Sequence, residues 1–345
     1  MCNMNCKMCY IRLDKSEMER QGRMRTADEW LKVAKEAADM GCLFLLLTGG
    51  EPLLHPEFKQ IYRGLQELGI YLTVNTNGTL IDEEMADFFA SNLPRRLNIT
   101  LYGAGRETYQ RLCQNGAAYD QVMNGIRLLK ERNVPIKLNA TLTQFSIGDF
   151  QAIMDVADGL ELPIEIPYYL FPQARKANQA EPLEYRLMPE EAARLRLDIV
   201  KHGFRGSQEE YIRDLKETVT SIDSFEEQNL PEQPKGFWCA SGRSSFWVNW
   251  KGQMTNCGML EIPYVDVFEL PFKENWECLL AETGSVRLSE VCYRCKYRII
   301  CSPCAASMLS ETGSFGDVPV YKCEVMHAYD ALLREELRRL ETGEA

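Results

Sequence analysis

The sequence predicts an α/β chain in which βα units close or stack around a parallel sheet and a small cysteine-rich domain follows. Helical and strand-like periodicities alternate from residue 26 to about residue 170, the pattern of βα units on a parallel sheet. The length of 345 residues exceeds what one ordinary core serves and suits roughly two domains. Ten of the thirteen cysteines fall into spaced groups, seven of them beyond residue 236.

The elements follow in order. Thr26 and Glu29 form a capping-box pair ahead of a helix that runs to Met40. The apolar run at 42–47 reads as a strand buried on both faces. A helix over 57–68 follows, then strands over 70–75, 97–101, 136–142 and 164–168, with helices over 82–90, 119–132 and 147–157 between them. A further strand is expected before Cys2, where only Met1 stands, so the chain begins mid-unit. Helical stretches over 189–201 and 208–219 lead to a polar segment, 226–235, with two prolines, which reads as a boundary. Trp238, Phe246, Trp247, Trp250 and Trp276 then accompany the late cysteines, and 328–340 reads as a charged closing helix.

Composition narrows the function. Lys plus Arg is 39 and Asp plus Glu is 50; a net charge of −11 repels polyphosphate backbones, so nucleic acid is not an expected partner. The six-residue apolar run at 42–47 is far short of the roughly 20 residues of a membrane span, and no charged-then-apolar signal opens the chain, so a cytoplasmic, membrane-free protein is expected. In a reducing compartment thirteen cysteines against three histidines point to metal–thiolate chemistry rather than disulfides. Cys42, Cys113 and Cys278 stand alone in apolar-rich stretches and read as buried small hydrophobes.

Cys2, Cys6 and Cys9 lie within one short loop. An iron–sulfur cube takes four thiolates, so three leave one iron open to a ligand. A structural zinc loop is the alternative, but zinc asks for four closed ligands, and no histidine or fourth cysteine is near in sequence. Gly49-Gly50-Glu51-Pro52 closes the strand at 42–47, where α/β sheets place ligand-binding loops, although the same residues can form a plain turn. Thr76-Asn77-Gly78 and Thr100-Leu101-Tyr102-Gly103 end the next two strands on the same rim; turn chemistry alone can also account for Asn77-Gly78.

The run Cys-Asn-Met-Asn-Cys-Lys-Met-Cys-Tyr at 2–10 resembles the cluster loop of the radical S-adenosylmethionine (SAM) superfamily, with Tyr10 matching its usual aromatic. The resemblance implies a partial (β/α)6 TIM-type barrel lacking its first strand. It implies a catalytic [4Fe-4S] cluster on Cys2, Cys6 and Cys9, with SAM chelated at the open iron and cleaved by one electron to a 5′-deoxyadenosyl radical. Gly49, Gly50 and Glu51 match the family's Gly-Gly-Glu-Pro motif, which contacts the SAM amino group; Tyr10, Asn77 and Thr100 are implied as further cofactor-binding residues. Relatives often carry Ser-hydrophobic-Asp-Gly where Thr100 to Gly103 stand, so here a hydroxyl is kept and the acid is not.

Cys239 and Cys257 are followed by Cys292-x2-Cys295-x5-Cys301-x2-Cys304 and then Cys323. On CxxC spacing alone a zinc-ribbon pair is an alternative. The order resembles the SPASM domain of radical SAM maturases, with one internal gap a residue shorter than usual. That implies one or two auxiliary iron–sulfur clusters, one on Cys292, Cys295, Cys301 and Cys323 and another on Cys239, Cys257 and Cys304, whose fourth ligand in some relatives is a cysteine absent from 232–238 here. The organisation expected is a radical SAM barrel over 1–188, a helical linker over 189–235, a SPASM-type domain over 236–327 and a C-terminal helix over 328–345. The resemblance further implies a peptide or protein substrate, modified by crosslinking, epimerisation or oxidation, and an electron donor such as flavodoxin or ferredoxin. Gly258 follows Cys257 where many sulfatase-type maturases carry an acid. A tetrapyrrole or other small metabolite is the alternative substrate, and an iron–sulfur electron carrier or zinc-stabilised scaffold the alternative of another class.

Overall fold

The computed structural model describes residues 1–11, 15–172, 183–226 and 236–343. A short helix α1 (Lys15–Gln21) precedes alternating helices and strands: α2 (Ala27–Asp39), β1 (Phe44–Leu47), α3 (Phe58–Glu67), β2 (Tyr71–Thr76), α4 (Glu83–Ser91), β3 (Arg96–Leu101), α5 (Arg106–Cys113), α6 (Ala118–Glu131), β4 (Ile136–Ala140), α7 (Phe150–Gly159) and β5 (Ile164–Glu165). The strands pair in chain order, and every pairing is parallel. All five therefore direct their C-terminal ends to one rim, the side on which barrel-type α/β folds carry their chemistry. This is the five-stranded sheet expected of the partial barrel.

One face of the sheet's centre is fully buried: Val74 pairs with Leu97 in register and Ile99 with Leu138, the four side chains share that face, and all are 0% exposed. The opposite face carries the half-buried polar residues Thr73, Asn75, Thr100 and Asn139. Phe58, Tyr62, Phe88 and Phe89 join α3 to α4 through tilted and edge-to-face rings 5.4 to 6.4 Å apart, a geometry that adds about 0.5–1.5 kcal/mol per pair beyond area burial. The capping box of α2 is formed: Glu29 N–H donates to Thr26 Oγ1 at 3.3 Å and Thr26 N–H to Glu29 Oε2 at 2.8 Å. Thr26→Ala is expected to lower stability by about 1 kcal/mol, read as a lower urea midpoint at unchanged slope.

Several expectations are corrected. The strand at 42–47 is not buried on both faces; β1 has β2 as its one partner among the described residues, and Phe44 is 59% exposed. The helix at 147–157 opens as a 3-10 turn, Ile147–Asp149, and the strand at 164–168 is only the two-residue β5. Cys278 is exposed and Cys42 half-buried; of the three solitary cysteines only Cys113 is buried. Helix α5 went unrecognised because Tyr109, Leu112 and Cys113 make its apolar stripe in a helix of eight residues, too short for the period to declare itself.

The described residues form two compact units: 1–167, 183–185 and 247–279 in the first, and 168–172, 186–226, 236–246 and 280–343 in the second. The residues at 247–279, which the sequence groups with the late cysteines, thus sit with the sheet. They contribute an antiparallel sheet of β6 (Trp247–Val248), β7 (Gln253–Thr255) and β8 (Tyr264–Asp266) and most of α10 (Phe272–Ser285).

In the second unit α8 (Pro189–Gly203) and α9 (Gln208–Asp223) precede α11 (Glu290–Arg294), α12 (Arg298–Cys301), α13 (Ala305–Thr312) and α14 (Val320–Thr342). The closing helix therefore starts eight residues before the expected 328 and carries Cys323 in its opening turns. Its side chains tie it to α8 and α9 through Lys201–Glu336 at 2.8 Å and Arg334–Asp223 at 2.7 Å. Val286, Leu288, Ala305 and Met308 form a small core that reaches Cys292. The polar segment at 226–235 lies, beyond Glu226, outside the described residues. No helix among the described residues is long and apolar enough to cross a membrane.

Candidate functional site

The last carbonyls of a helix lack intrahelical partners, and the cysteine loop supplies them for α5. Lys7 N–H donates to Leu112 O at 2.9 Å and Asn5 N–H to Cys113 O at 3.3 Å, while Asn5 Nδ2 donates to Gln114 Oε1 at 2.7 Å. Cys9 N–H folds back onto Cys6 O at 3.2 Å. Cys6 is buried, Cys9 half-buried and Cys2 exposed.

The docked loop meets the rim of the sheet through the turn after β1. Glu51 N–H donates to Met1 O at 2.9 Å, and a Cβ on Gly50 would stand 2.3 Å from that oxygen, so only glycine permits this approach. Glu51 is 3% exposed. Its Oε1 accepts from Thr76 Oγ1 at 2.8 Å and Leu53 N–H at 3.1 Å, and its Oε2 from Asn77 N–H at 2.8 Å. Burial raises its pKa above the ordinary carboxyl value and these three donors oppose the rise. A carboxylate has about four acceptor positions, so roughly one is left for a cationic ligand.

Asn77 closes the ring. Its Nδ2 donates to Asn3 Oδ1 at 2.9 Å and approaches Cys2 Sγ at 3.8 Å, while its Oδ1 accepts from Thr79 N–H at 3.0 Å and Thr79 Oγ1 at 2.6 Å. Gly78, at φ 76°, supplies the left-handed turn this needs.

The thiols share one electrostatic neighbourhood. Burial first, and then the charges of Cys6 and Glu51, push the Cys2 thiol up. A hydrogen bond with Cys6 is the first cause pushing Cys113 up, ahead of burial and the charges of Cys6, Cys2 and Cys9. Tyr102 is held well above its usual value by burial and then by Cys6, Cys113, Cys9 and Cys2. Three cysteines on one loop, with Cys113 beside Cys6, form a set of soft sulfur donors of the kind that iron or zinc takes as thiolates. The donor set therefore fits a cluster. Cys113 is the residue that sequence reasoning missed: its place beside Cys6 follows from the docking of the loop on α5, and nothing adjacent in sequence signals it.

The other sequence-derived positions lie around this cluster of contacts. Gly49 is exposed in the turn before Gly50, Tyr10 is half-buried directly after Cys9, and Thr100 lies within β3 in register with Asn139.

In the second unit Cys292, Cys295, Cys301, Cys304 and Cys323 line one small cavity that opens to solvent. They arrive from α11, its C-cap, α12, the N-cap of α13 and α14. Burial, then Cys292, Cys301 and Cys295, push Cys323 up to about 12. Burial likewise raises Cys292 and Cys301. Cys304, assigned from sequence to a second set, lies on this same cavity. Of its expected companions, Cys239 is exposed in the second unit and Cys257 half-buried in the first, where Cys257 Sγ accepts from Met259 N–H at 3.5 Å. Among the described residues no three His, Cys, Asp or Glu side chains stand close enough to hold a single ion.

The family model described as the Radical SAM superfamily matches residues 1–157. The chain is 25% identical over 327 residues to the AdoMet-dependent heme synthase of Methanosarcina barkeri, covering 91% of both chains. Its fold matches that of anSMEcpe with bound AdoMet and Kp18Cys peptide at a TM-score of 0.68 and 18% identity, over 99% of this chain and 96% of that one. It also matches Streptococcus suis SuiB bound to precursor peptide SuiA at a TM-score of 0.65 and 16% identity, over 92% and 73% of the two chains.

Proposed function

We propose, for a chain that belongs to the radical SAM superfamily through residues 1–157, that Cys2, Cys6 and Cys9 hold the catalytic [4Fe-4S] cluster, that Gly50 and Glu51 receive SAM, and that the substrate is a peptide or protein. The observation that carries the reading is the tie between Glu51, Asn77 and the cysteine loop, which sets three thiols and a buried carboxylate at one rim. When bound, the cluster supplies the electron that splits SAM to the 5′-deoxyadenosyl radical. Glu51 orients the SAM ammonium with its remaining acceptor position, Gly50 keeps the backbone low enough for approach, and Asn77 holds Cys2 in place. Cys292, Cys295, Cys301 and Cys323 hold an auxiliary cluster, and an electron donor of the flavodoxin or ferredoxin class serves the reaction.

The peptide reading is supported by the seven-cysteine order after residue 236 and by a fold shared along nearly the whole chain with a peptide-bound enzyme. A tetrapyrrole substrate is the second reading, favoured by the heme synthase relative that aligns over 91% of both chains. Anaerobically reconstituted protein is expected to convert SAM to 5′-deoxyadenosine with dithionite as reductant. Protein that carries zinc and leaves SAM intact would overturn the enzyme reading in favour of a scaffold. Mass spectrometry after incubation with candidate precursor peptides and with an iron porphyrin then decides the substrate: a product mass change confined to the porphyrin rejects the peptide class.

A further inference from the structure

Lys322 is the least expected charge in the second unit. It is 6% exposed, stands third in α14 and lines the same cavity as the five thiols. Its ammonium donates to Ser302 O at 3.2 Å, and its other contact is the Tyr169 ring, 5.5 Å away. Among the described residues no carboxylate lies within ion-pair distance of it.

Two costs meet at this position. A buried ammonium loses its hydration and needs a compensating anion or a full set of acceptors, and Lys322 has three donors with one acceptor found. The first turn of a helix is also the positive end of its dipole and disfavours a cation; that of α14 holds no acid. An anion inside the cavity would offset both costs. Five thiols line that cavity together with Arg298, His327, Tyr297 and apolar side chains and no carboxylate. Arg298 is turned to Tyr293 O at 3.0 Å and the Trp238 ring, whereas the Lys322 charge opposes the effect of burial at Cys292, Cys301 and Cys323. Arg196 of α8 brings a second positive charge to Cys301 while donating to Ile300 O at 2.9 Å.

We propose that Lys322 is the counter-ion of an iron–sulfur cluster on Cys292, Cys295, Cys301 and Cys323, a positioning residue that makes that cluster easier to reduce. The inference rests on the reading that these thiolates hold a cluster. A cluster on four thiolates is anionic, and one-electron reduction adds one further negative charge with no bond made or broken. A fixed positive charge on a buried side chain beside the thiolates stabilises the reduced form more than the oxidised one, so the potential rises.

The test uses the full chain in a Cys6→Ala background, which removes the catalytic cluster's signal, with dithionite as the electron source and the auxiliary signal followed by electron paramagnetic resonance. Lys322→Met is expected to keep the iron content and shift the midpoint to a more negative potential, and Lys322→Arg to stay at the parent potential. Loss of iron from the Met variant with retention in the Arg variant would equally support a counter-ion. A Met variant titrating at the parent potential overturns the proposal, as do Met and Arg variants that lose iron alike, which would make Lys322 a packing tether. A parent with no auxiliary iron and no signal would instead remove the cluster reading, taking the Lys322 role with it.

Discussion

Cys6→Ala is expected to reduce SAM cleavage to background and to remove the catalytic cluster's iron while leaving the auxiliary iron in place. Cys6 is the most buried of the three loop thiols, at 7% exposure, and neighbours Cys113 on a loop that caps α5. A cube held by Cys2 and Cys9 alone has two protein ligands, and the open corner SAM needs is no longer the only labile one. The loop's own attachment runs through Asn5 and Lys7 backbone groups, which alanine at position 6 leaves untouched, so the protein is expected to fold. Iron analysis with a 5′-deoxyadenosine assay reads both consequences; cleavage persisting at the parent rate would show that Cys6 is no ligand. The buried Cys113 gives the experiment a second edge, because a Cys6→Ala, Cys113→Ala double variant tests whether Cys113 retains residual iron.

Glu51→Ala is expected to abolish SAM binding and to lower stability by about 3 kcal/mol even without SAM. Three donors, Thr76 Oγ1, Leu53 N–H and Asn77 N–H, converge on this carboxylate in a buried pocket. Each donor left unsatisfied costs about 1–3 kcal/mol, and water entering the space left by the side chain keeps the sum toward the low end. The cost should appear as a lower urea midpoint of the cluster-free protein, and the SAM defect as lost binding in the reconstituted one. An unchanged midpoint would mean that Glu51 does not tie the turn after β1 to the end of β2. Glu51→Gln separates charge from shape: its NH2 group meets at least one of the three donors head-on, so partial rather than full recovery is expected.

Much of the molecule was legible from the sequence because its signals are local. The capping pair Thr26 and Glu29, three residues apart, formed as read, and the strands centred on Val74, Ile99 and Leu138 were found by runs of branched apolar residues. Misreadings occurred where local pattern and tertiary place disagree. The apolar 42–47 run looks doubly buried, but burial depends on what lies beside it, and β1 has one strand partner among the described residues. Helix α14 begins at Val320 rather than near 328 because the opening residues Tyr321 and Lys322 face protein interior and disguise the charged helical period that the sequence shows further on.

The sequence by itself determined the spacing of the grouped cysteines, the glycine-glutamate turn and the order of βα units, since each is a pattern over a few neighbouring residues set by covalent reach and side-chain period. The tertiary structure alone decided that the cysteine loop caps α5, that Asn77 reaches Cys2 across 75 residues of chain, that Asn5 meets Gln114 across 109, and that Lys322, with no carboxylate partner among the described residues, lines a cavity shared with five thiols. Those contacts join segments with no mutual signature in sequence, and only packing, which buries backbone groups and obliges them to find partners, brings them together.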